Sequence, residues 1–298
     1  MKKSLTRKLT IAVIALVFAV VSLSTSTYAW FTMSNDADVE AFTADVKAGQ
    51  GIEIAVTTDG NSANAQWYTG VVPQAVIQTV VPAQFKFDAV TTTDAVTFTK
   101  LSGAATENDY IKFFVHIKAA QAGKISLNGI TFDSEVADQT GWTADAAYAL
   151  DGTRNVVVND KVLYKVENAA RISITTTSGT VIYENTVSAP SGDKVADGVS
   201  SYDAGNQGGL NKQANQNGAF SYYNAKNSTK LLIGDAPTQT TEYVETLATN
   251  AKLLSEVSAG GELKVEVKVW IEGWDTECLN AIFAQKLSTA LSFVYSEN

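Results

Sequence analysis

A run of alternating residues near the C-terminus constrains the fold of this chain more than any other feature. Between residues 262 and 271 every second residue is apolar, and up to Lys268 the residues between them are alternately acidic and basic. Successive side chains of a strand point to opposite faces of a sheet, so this pattern predicts an antiparallel strand with one buried face and one wet face. The same period recurs in residues 52–56, 85–89, 111–117 and 287–295.

Other local patterns complete the prediction of a mainly β fold. Residues 171–176 and 180–183, joined across Ser178 and Gly179, predict a β-hairpin. Helical spacing of apolar residues is limited to three short segments, at 278–283, 244–254 and 143–150. Residues 188–229 are rich in Gly, Asn, Ser and Gln, so we expect a long insertion loop there. The expected architecture is an antiparallel β-sandwich with a few short helices.

The first 29 residues have the three parts of a cleavable export signal. The positive start comprises Lys2, Lys3, Arg7 and Lys8. The apolar run 9–23 follows, and it is shorter than the ~20 residues that a spanning helix needs. Small residues then place Thr27 and Ala29 at positions −3 and −1 of a cut before Trp30. We expect a single secreted domain over residues 30–298, which meets the membrane only through its leader; an uncleaved anchor is the alternative.

Charge and cysteine content narrow the choice of partners. Removal of the leader takes the formal net charge from −9 to −13, because the leader carries four positive charges and no negative ones. So acidic a chain is a poor ligand for nucleic acid or anionic lipid. The single cysteine, Cys278, excludes a disulfide within one molecule and a zinc site built from cysteines. We interpret it as a small buried residue, and pairing between molecules stays open.

Enzyme motifs are scarce, so we expect a non-enzymatic protein. His116 is the only histidine, and the period of residues 110–118 predicts a position on a surface or interface, opposite the apolar face. One histidine cannot supply the two ligands of an H-E-x-x-H zinc site, and no G-x-S-x-G motif is present. Ser191 and Lys194 match S-x-x-K in a glycine-rich setting, which we interpret as chance. A glycosidase pair of carboxylates stays an alternative, although no pair is marked out.

Two further sets of residues suggest binding. Side chains that offer oxygen ligands to Ca²⁺ are Asn35, Asp36 and Asp38 at the mature start, and Asp193, Asp197 and Asp203 in the expected loop. Neither set follows an EF-hand pattern, so we expect solvated acids and no metal or other cofactor. The aromatic residues in loop-like regions are Trp67, Tyr68, Trp142, Tyr222 and Tyr223. They favour either a glycan-binding surface or, as the preferred interpretation, caps on the ends of the core.

The two ends of the mature chain resemble a known family. Residues 28–35 (YAWFTMSN), followed by Val39, Phe42 and Thr43, are similar to the mature start of TasA/camelysin-type biofilm matrix proteins of Gram-positive bacteria. Residues 269–278 are similar to the strand-and-turn ending of related surface proteins. This chain departs from the pattern at Met33, where an Asp is common, and after Thr43, where a Gly is expected. The resemblance implies a jelly-roll-like sandwich that is assembled into fibres of an extracellular matrix or cell surface.

In that family, the mature N-terminal segment can complete the sheet of the next subunit. Here Ala37, Val39 and Ala41 alternate on one face, and Phe42, Ala44 and Val46 continue on the other, as in a bulged strand. The assembly residues that we expect are Trp30, Phe31, Val39, Phe42 and Val46. The alternative is that residues 39–46 form the first strand of their own domain.

These observations favour a self-assembling fibre subunit. The expected partner is a second copy of the chain, with an accessory matrix subunit or a surface glycan as further partners. The alternative function is a cell-surface adhesin or carbohydrate-binding β-sandwich protein.

Overall fold

The chain is represented by a computed structural model. It describes residues 43–81, 85–100, 104–135, 142–150, 155–185, 194–196, 199–203, 218–226, 239–275, 277–279, 282 and 285–297. The predicted export signal with Thr27 and Ala29, and the assembly residues Trp30, Phe31, Val39 and Phe42, lie outside these ranges.

Strands dominate the described residues, so the predicted mainly β class is confirmed. In chain order the strands are β1 (Thr43–Ala48), β2 (Ile52–Thr57), β3 (Ala89–Thr91), β4 (Phe98–Lys100), β5 (Ala105–Thr106), β6 (Ile111–Ala119), β7 (Gly123–Glu135), β8 (Trp142–Thr143), β9 (Tyr148–Ala149), β10 (Asn155–Val156), β11 (Lys161–Leu163), β12 (Ala170–Thr176), β13 (Gly179–Glu184), β14 (Lys194–Ala196), β15 (Val199–Asp203), β16 (Glu242–Tyr243), β17 (Lys252–Val257), β18 (Glu262–Glu272) and β19 (Lys286–Glu297). The helices are α1 (Gln74–Val80), α2 (Val166–Ala169), α3 (Ala219–Lys226) and α4 (Glu245–Thr249).

Two large sheets form a sandwich. Sheet A has the order β1-β19-β7-β17, with β1 parallel to β19 and the other neighbours antiparallel. Sheet B is centred on β18, which lies between β12 and β6 and continues past β6 to pair with β3. β2 lies outside β6, β13 and β16 lie outside β12, and β4 and β5 extend β3. One apolar cluster contains residues of both sheets, such as Val46 and Leu291 from sheet A and Ile54 and Val265 from sheet B.

Smaller sheets complete the described fold. β14, β15, β11 and β8 form a third sheet, and β9 pairs with β10. The jelly-roll connectivity that the resemblance implies is not established by these strands and stays a prediction.

Most strand predictions are confirmed, and the long alternating runs were the most accurate. β2, β6, β18 and β19 cover the predicted segments, and β12 and β13 form the predicted hairpin around Thr177 and Ser178. Gly179 takes φ +133°, a conformation that side chains other than glycine disfavour. The prediction for residues 85–89 was wrong in part, because the strand begins only at Ala89.

Two of the three helix predictions were wrong over most of their length. α4 ends at Thr249, and Leu254 belongs instead to β17, whose backbone pairs with β7. Residues 143–150 contribute to β8 and β9, which pair with β11 and β10. In these two segments, pairing with strands distant in sequence outweighs local helical spacing. Of the third segment, 278–283, the structure describes Cys278, Leu279 and Ile282, and the Ile282 N–H donates to the Leu279 carbonyl at 3.1 Å, as in a 3₁₀ turn. The other residues of that segment lie outside the described ranges.

The predicted insertion loop at 188–229 was also wrong in part. β15 pairs in parallel with β11, and α3 packs Tyr222 and Tyr223 into buried positions. The Tyr222 hydroxyl donates to Asp145 Oδ1 at 2.8 Å, and Lys226 Nζ donates to Asp145 Oδ2 at 2.7 Å. The prediction of a loop was based on the low content of aliphatic residues. Two buried tyrosines supply the apolar area that holds α3 in place instead.

Candidate functional site

The predicted assembly segment reaches the described part of the chain in β1. This strand lies at one edge of sheet A and pairs with β19 along its six residues, from Thr43 opposite Ser288 to Ala48 opposite Phe293. Val46 is fully buried in the core of its own domain. Residues 43–46, the end of the predicted assembly segment, therefore pair within their own chain. For these residues the alternative prediction, a first strand of their own domain, is confirmed.

The outer side of β1 is covered by a short stretch of chain before α1. The Ala48 N–H donates to the Gly70 carbonyl at 2.7 Å, and the Val72 N–H donates to the Val46 carbonyl at 2.9 Å. On the same side of the sandwich, Ile54 of β2 forms an isolated β-bridge with Tyr68. This side of the sandwich thus has few free backbone groups along β1.

The opposite side of the sandwich is different, because its strand edges have few partners. In the part of the chain that the structure describes, β17 pairs with β7 alone, and β13 pairs on its outer side with β16 only at Tyr183 and Glu184. A groove of about 150 Å³ separates the two edges. Its apolar lining includes Ile174, Val181, Tyr183, Leu253 and Leu254.

Two features of this groove indicate room for another chain segment. Leu253 is 51% exposed although it is a large aliphatic residue. The hydroxyl of Tyr183 is buried and has no hydrogen-bond partner among the described residues. Open strand edges beside an apolar groove offer both backbone hydrogen bonds and apolar burial to an added strand.

A cluster of buried charges occupies the outer face of sheet B, near the C-terminal end of β18. Arg171 is fully buried, and its Nη2 lies 2.6 Å from both Asp275 Oδ2 and Glu184 Oε2. Its Nη1 donates to the carbonyls of Asn168 and Ala170 at 3.1 and 3.0 Å. Buried charges persist only when they are paired and hydrogen-bonded, so this guanidinium holds two carboxylates in the protein interior.

Glu272 adds a third acid to the cluster. The Trp270 Nε1–H donates to its Oε2 at 3.1 Å, and the Trp274 N–H donates to its Oε1 at 3.2 Å. Burial raises the pKa of Glu272 to about 7, although the charge of Arg171 favours the ionised form. Burial also raises the pKa of Asp275, again against the effect of Arg171. One guanidinium does not fully offset the burial of Glu272 and Asp275, so Glu272 binds a proton in the neutral range.

The cover over this cluster comes from distant parts of the sequence. Phe98 of β4 stacks on Tyr110 with ring centroids 3.9 Å apart and meets Trp270 edge-on at 5.2 Å. Gln239 Nε2 donates to the Thr92 carbonyl at 2.7 Å. The cover makes this end of sheet B a second, smaller core.

The prediction that His116 lies on a surface or interface was wrong. Its side chain is 1% exposed and lies between β2 and β18. Its Nε2 is 2.9 Å from Thr57 Oγ1, and its Nδ1 is 2.8 Å from Glu262 Oε1. Ser62 Oγ donates to the other carboxylate oxygen of Glu262 at 2.9 Å. The period placed His116 on the correct face, but the loop that follows β2 covers it.

A cleft of about 570 Å³ opens beside Glu262, the carboxylate partner of this histidine. It lies between the end of β12, the start of β18 and the loop that joins β17 to β18. Its lining includes the polar or charged residues Thr175, Ser258, Glu262, Lys264 and Glu266 and the apolar residues Phe114, Val257 and Leu263. The cleft therefore combines charged and apolar surface.

The aromatic residues proposed for glycan binding are mostly internal. Trp142 meets Tyr222 edge-on at 5.3 Å, and both lie near Tyr148. The preferred interpretation as caps on the core is confirmed for these two and for buried Tyr223. Trp67 is half-buried, with Lys118 Nζ 5.8 Å from the centre of its ring, and is the aromatic group best placed for surface contact among the described members of the set.

The remaining candidate residues are Cys278 and the proposed ligands of Ca²⁺. Cys278 is free and buried, as predicted, and burial raises the pKa of its thiol well above the usual value, which disfavours a reactive thiolate. Asn35, Asp36, Asp38, Asp193 and Asp197 lie outside the described residues, as do Ser191 and more than half of the expected loop, whereas Asp203 ends β15. Within the described ranges, no group of three or more His, Cys, Asp or Glu residues has the geometry of a metal site.

The fold over the described residues defines a mainly β protein of the sandwich type. No protein-family model matches the chain, and neither the curated proteins nor the solved structures contain a match. The described helices are all too short or too polar to cross a membrane.

Proposed function

We propose that this chain is a secreted structural protein that self-assembles into extracellular matrix or cell-surface fibres, with a jelly-roll-like sandwich as its subunit. The N-terminal segment of one copy adds as a strand to the next copy. The resemblance to TasA/camelysin-type proteins supports this function from the sequence, and the two sides of the sandwich support it from the fold.

The observation that carries the proposal is the contrast between those sides. β1, where the N-terminal segment enters the fold, has partners on both of its edges. The edges of β13 and β17 lie on the other side and enclose an apolar groove. A donor on one side and an acceptor on the other make a head-to-tail contact, which repeats without closing and so produces a filament.

The segment has the length and pattern for such a contact. Residues 30–42 precede β1, and fully extended they reach about 40 Å. Asp36, Asp38 and Glu40 alternate with small apolar residues. One face of the added strand therefore suits the groove, and the acidic face suits water.

Electron microscopy of the mature protein, starting at Trp30, tests the proposal. We expect filaments within a day at micromolar concentration, and monomers when residues 30–42 are deleted. Leu253→Lys places a charge at the exposed edge of β17 and is expected to abolish filaments, while changing the free energy of unfolding by less than about 0.5 kcal/mol.

Val157→Lys is the matched control, because Val157 is 55% exposed and lies in the turn between β10 and β11. Filaments from the control but not from Leu253→Lys support the β17 edge as the acceptor. Filaments of normal yield after deletion of residues 30–42 contradict strand donation. Persistent monomers of the intact chain favour the alternative, an adhesin whose glycan binding would depend on Trp67.

A further inference from the structure

Three residues distant in sequence form a continuous chain of hydrogen bonds on the outer face of sheet B. In β2, Thr57 pairs with Phe114, two residues from His116, and in β18, Glu262 pairs with Lys118, two residues from His116 on the other side. Side chains in such diagonal positions on one face are close enough to interact. The line Thr57–His116–Glu262 therefore crosses three neighbouring strands.

The direction of the hydrogen bonds follows from the chemistry of the groups. An ionised Glu262 carboxylate only accepts, so His116 Nδ1 carries the proton and donates it at 2.8 Å. In a neutral imidazole this leaves Nε2 as an acceptor, so the hydroxyl of Thr57 donates to it at 2.9 Å. The Thr57 oxygen in turn accepts the N–H of Gly60 at 3.2 Å.

We propose that Thr57, His116 and Glu262 form an acyl-transfer site, in which the Thr57 hydroxyl is the nucleophile toward small esters. A hydroxyl that donates to an imidazole, which donates in turn to a carboxylate, is the arrangement that activates serine nucleophiles on unrelated folds, and Thr57 supplies the hydroxyl here. Such a site is recognised by geometry, because its members have no fixed order or spacing in the sequence.

The surroundings fix the position of the Thr57 hydroxyl. Thr57 is partly exposed, and Glu262, the carboxylate partner of His116, lines the cleft beside β18. The N–H of Gly60 donates to the Thr57 oxygen at 3.2 Å. Gly60 has φ +72°, and a Cβ at this position would lie 3.2 Å from the ring of Phe114, so the loop is fitted closely over the site.

The reaction has two balanced steps. Thr57 Oγ1 attacks the ester carbonyl while its proton passes to His116 Nε2, and the same proton then leaves with the alcohol as the ester bond breaks. The product is an ester of Thr57, which water hydrolyses with His116 again taking and returning one proton. Glu262 is a positioning residue, because it acts on the acyl group only through His116.

Labelling with a fluorophosphonate tests the site, since the nucleophile displaces fluoride from phosphorus and keeps a stable adduct. We expect one adduct per chain, located on Thr57 by peptide mass spectrometry. The isosteric Thr57→Val removes the adduct, and Thr57→Ser retains it. His116→Gln slows labelling roughly 100-fold. Glu262→Gln slows it less, and Glu262→Asp restores part of the rate, which a purely structural role would not do.

Thr175→Val is the matched control, because the Thr175 hydroxyl lies at the cleft that Glu262 lines but bonds to Thr180 instead of a histidine. It is expected to label like the natural chain. Thermal melting of each variant verifies that it is folded. The acyl-transfer site is overturned if the folded natural chain takes no label, or if Thr57→Val labels at the same rate. This chemistry is independent of fibre assembly, which is scored separately by microscopy.

Discussion

The outer face of β18 has two ends that share one sequence pattern and have opposite environments. At the N-terminal end, Glu262 and Lys264 are exposed beside the cleft between β12 and β18. At the C-terminal end, Lys268, Trp270 and Glu272 are buried under other segments of the chain. The inner face is buried along the whole strand. A polar position in a strand is therefore an exposed position only where nothing else packs on that face.

The two ends use their charges differently. At the covered end each charge requires a partner, since water is excluded and an unpaired ion would be costly. At the open end water solvates the charges, and their mutual contacts contribute little to stability. The buried ion pairs at the covered end therefore stabilise the fold. At the open end, Glu262 is the hydrogen-bond partner of His116.

The largest expected effect on stability comes from removing Arg171, the cation of the buried cluster. Arg171→Met leaves Glu184 and Asp275 buried without their common cation. We expect the free energy of unfolding to fall by about 3–5 kcal/mol, the usual result of removing one partner from a buried ion pair. Urea unfolding followed by tryptophan fluorescence measures it. A loss below about 1 kcal/mol would mean that the cluster is accessible to water.

The second effect distinguishes the two ends by pH. The pKa of Glu272 is about 7 in the folded protein and 4.5 without burial, so the folded state binds the extra proton between these values. Stability is then complete below about pH 4.5 and falls as the pH rises to about 7, by up to ~3 kcal/mol. Glu272→Gln removes this contribution.

The measurement is the free energy of unfolding at pH 5 and pH 8 for both proteins. The natural chain should lose more stability between these values than Glu272→Gln. Burial also raises the pKa of Asp275 in the natural chain, so only the difference between the two proteins is assigned to Glu272. Equal losses in the two proteins would exclude Glu272 as the titrating group.

The same comparison explains how far the sequence could predict the structure. Alternation located β18 and β6, because a period of two is a local property of the chain. It could not predict the cover on Trp270, because Phe98 comes from about 170 residues earlier in the chain. It also could not bring Thr57 and Glu262 to His116, since only the strand register decides which residues become diagonal neighbours. Within β1, the burial of Val46 was open to prediction, but its parallel pairing with β19 was not.

The smallest effect is a matched pair of substitutions four residues apart on β18. Lys268 Nζ donates to the buried Ala95 carbonyl at 2.7 Å and lies 2.8 Å from Glu266. Lys268→Met leaves that carbonyl without its donor and should lower the free energy of unfolding by about 1–3 kcal/mol. Lys264 is exposed, with its Nζ 5.7 Å from the ring centre of Phe114, so Lys264→Met should change stability by at most about 0.5 kcal/mol. Urea unfolding of both variants decides the matter, because equal losses would show that the cover over the C-terminal end of β18 does not exclude water from its outer face.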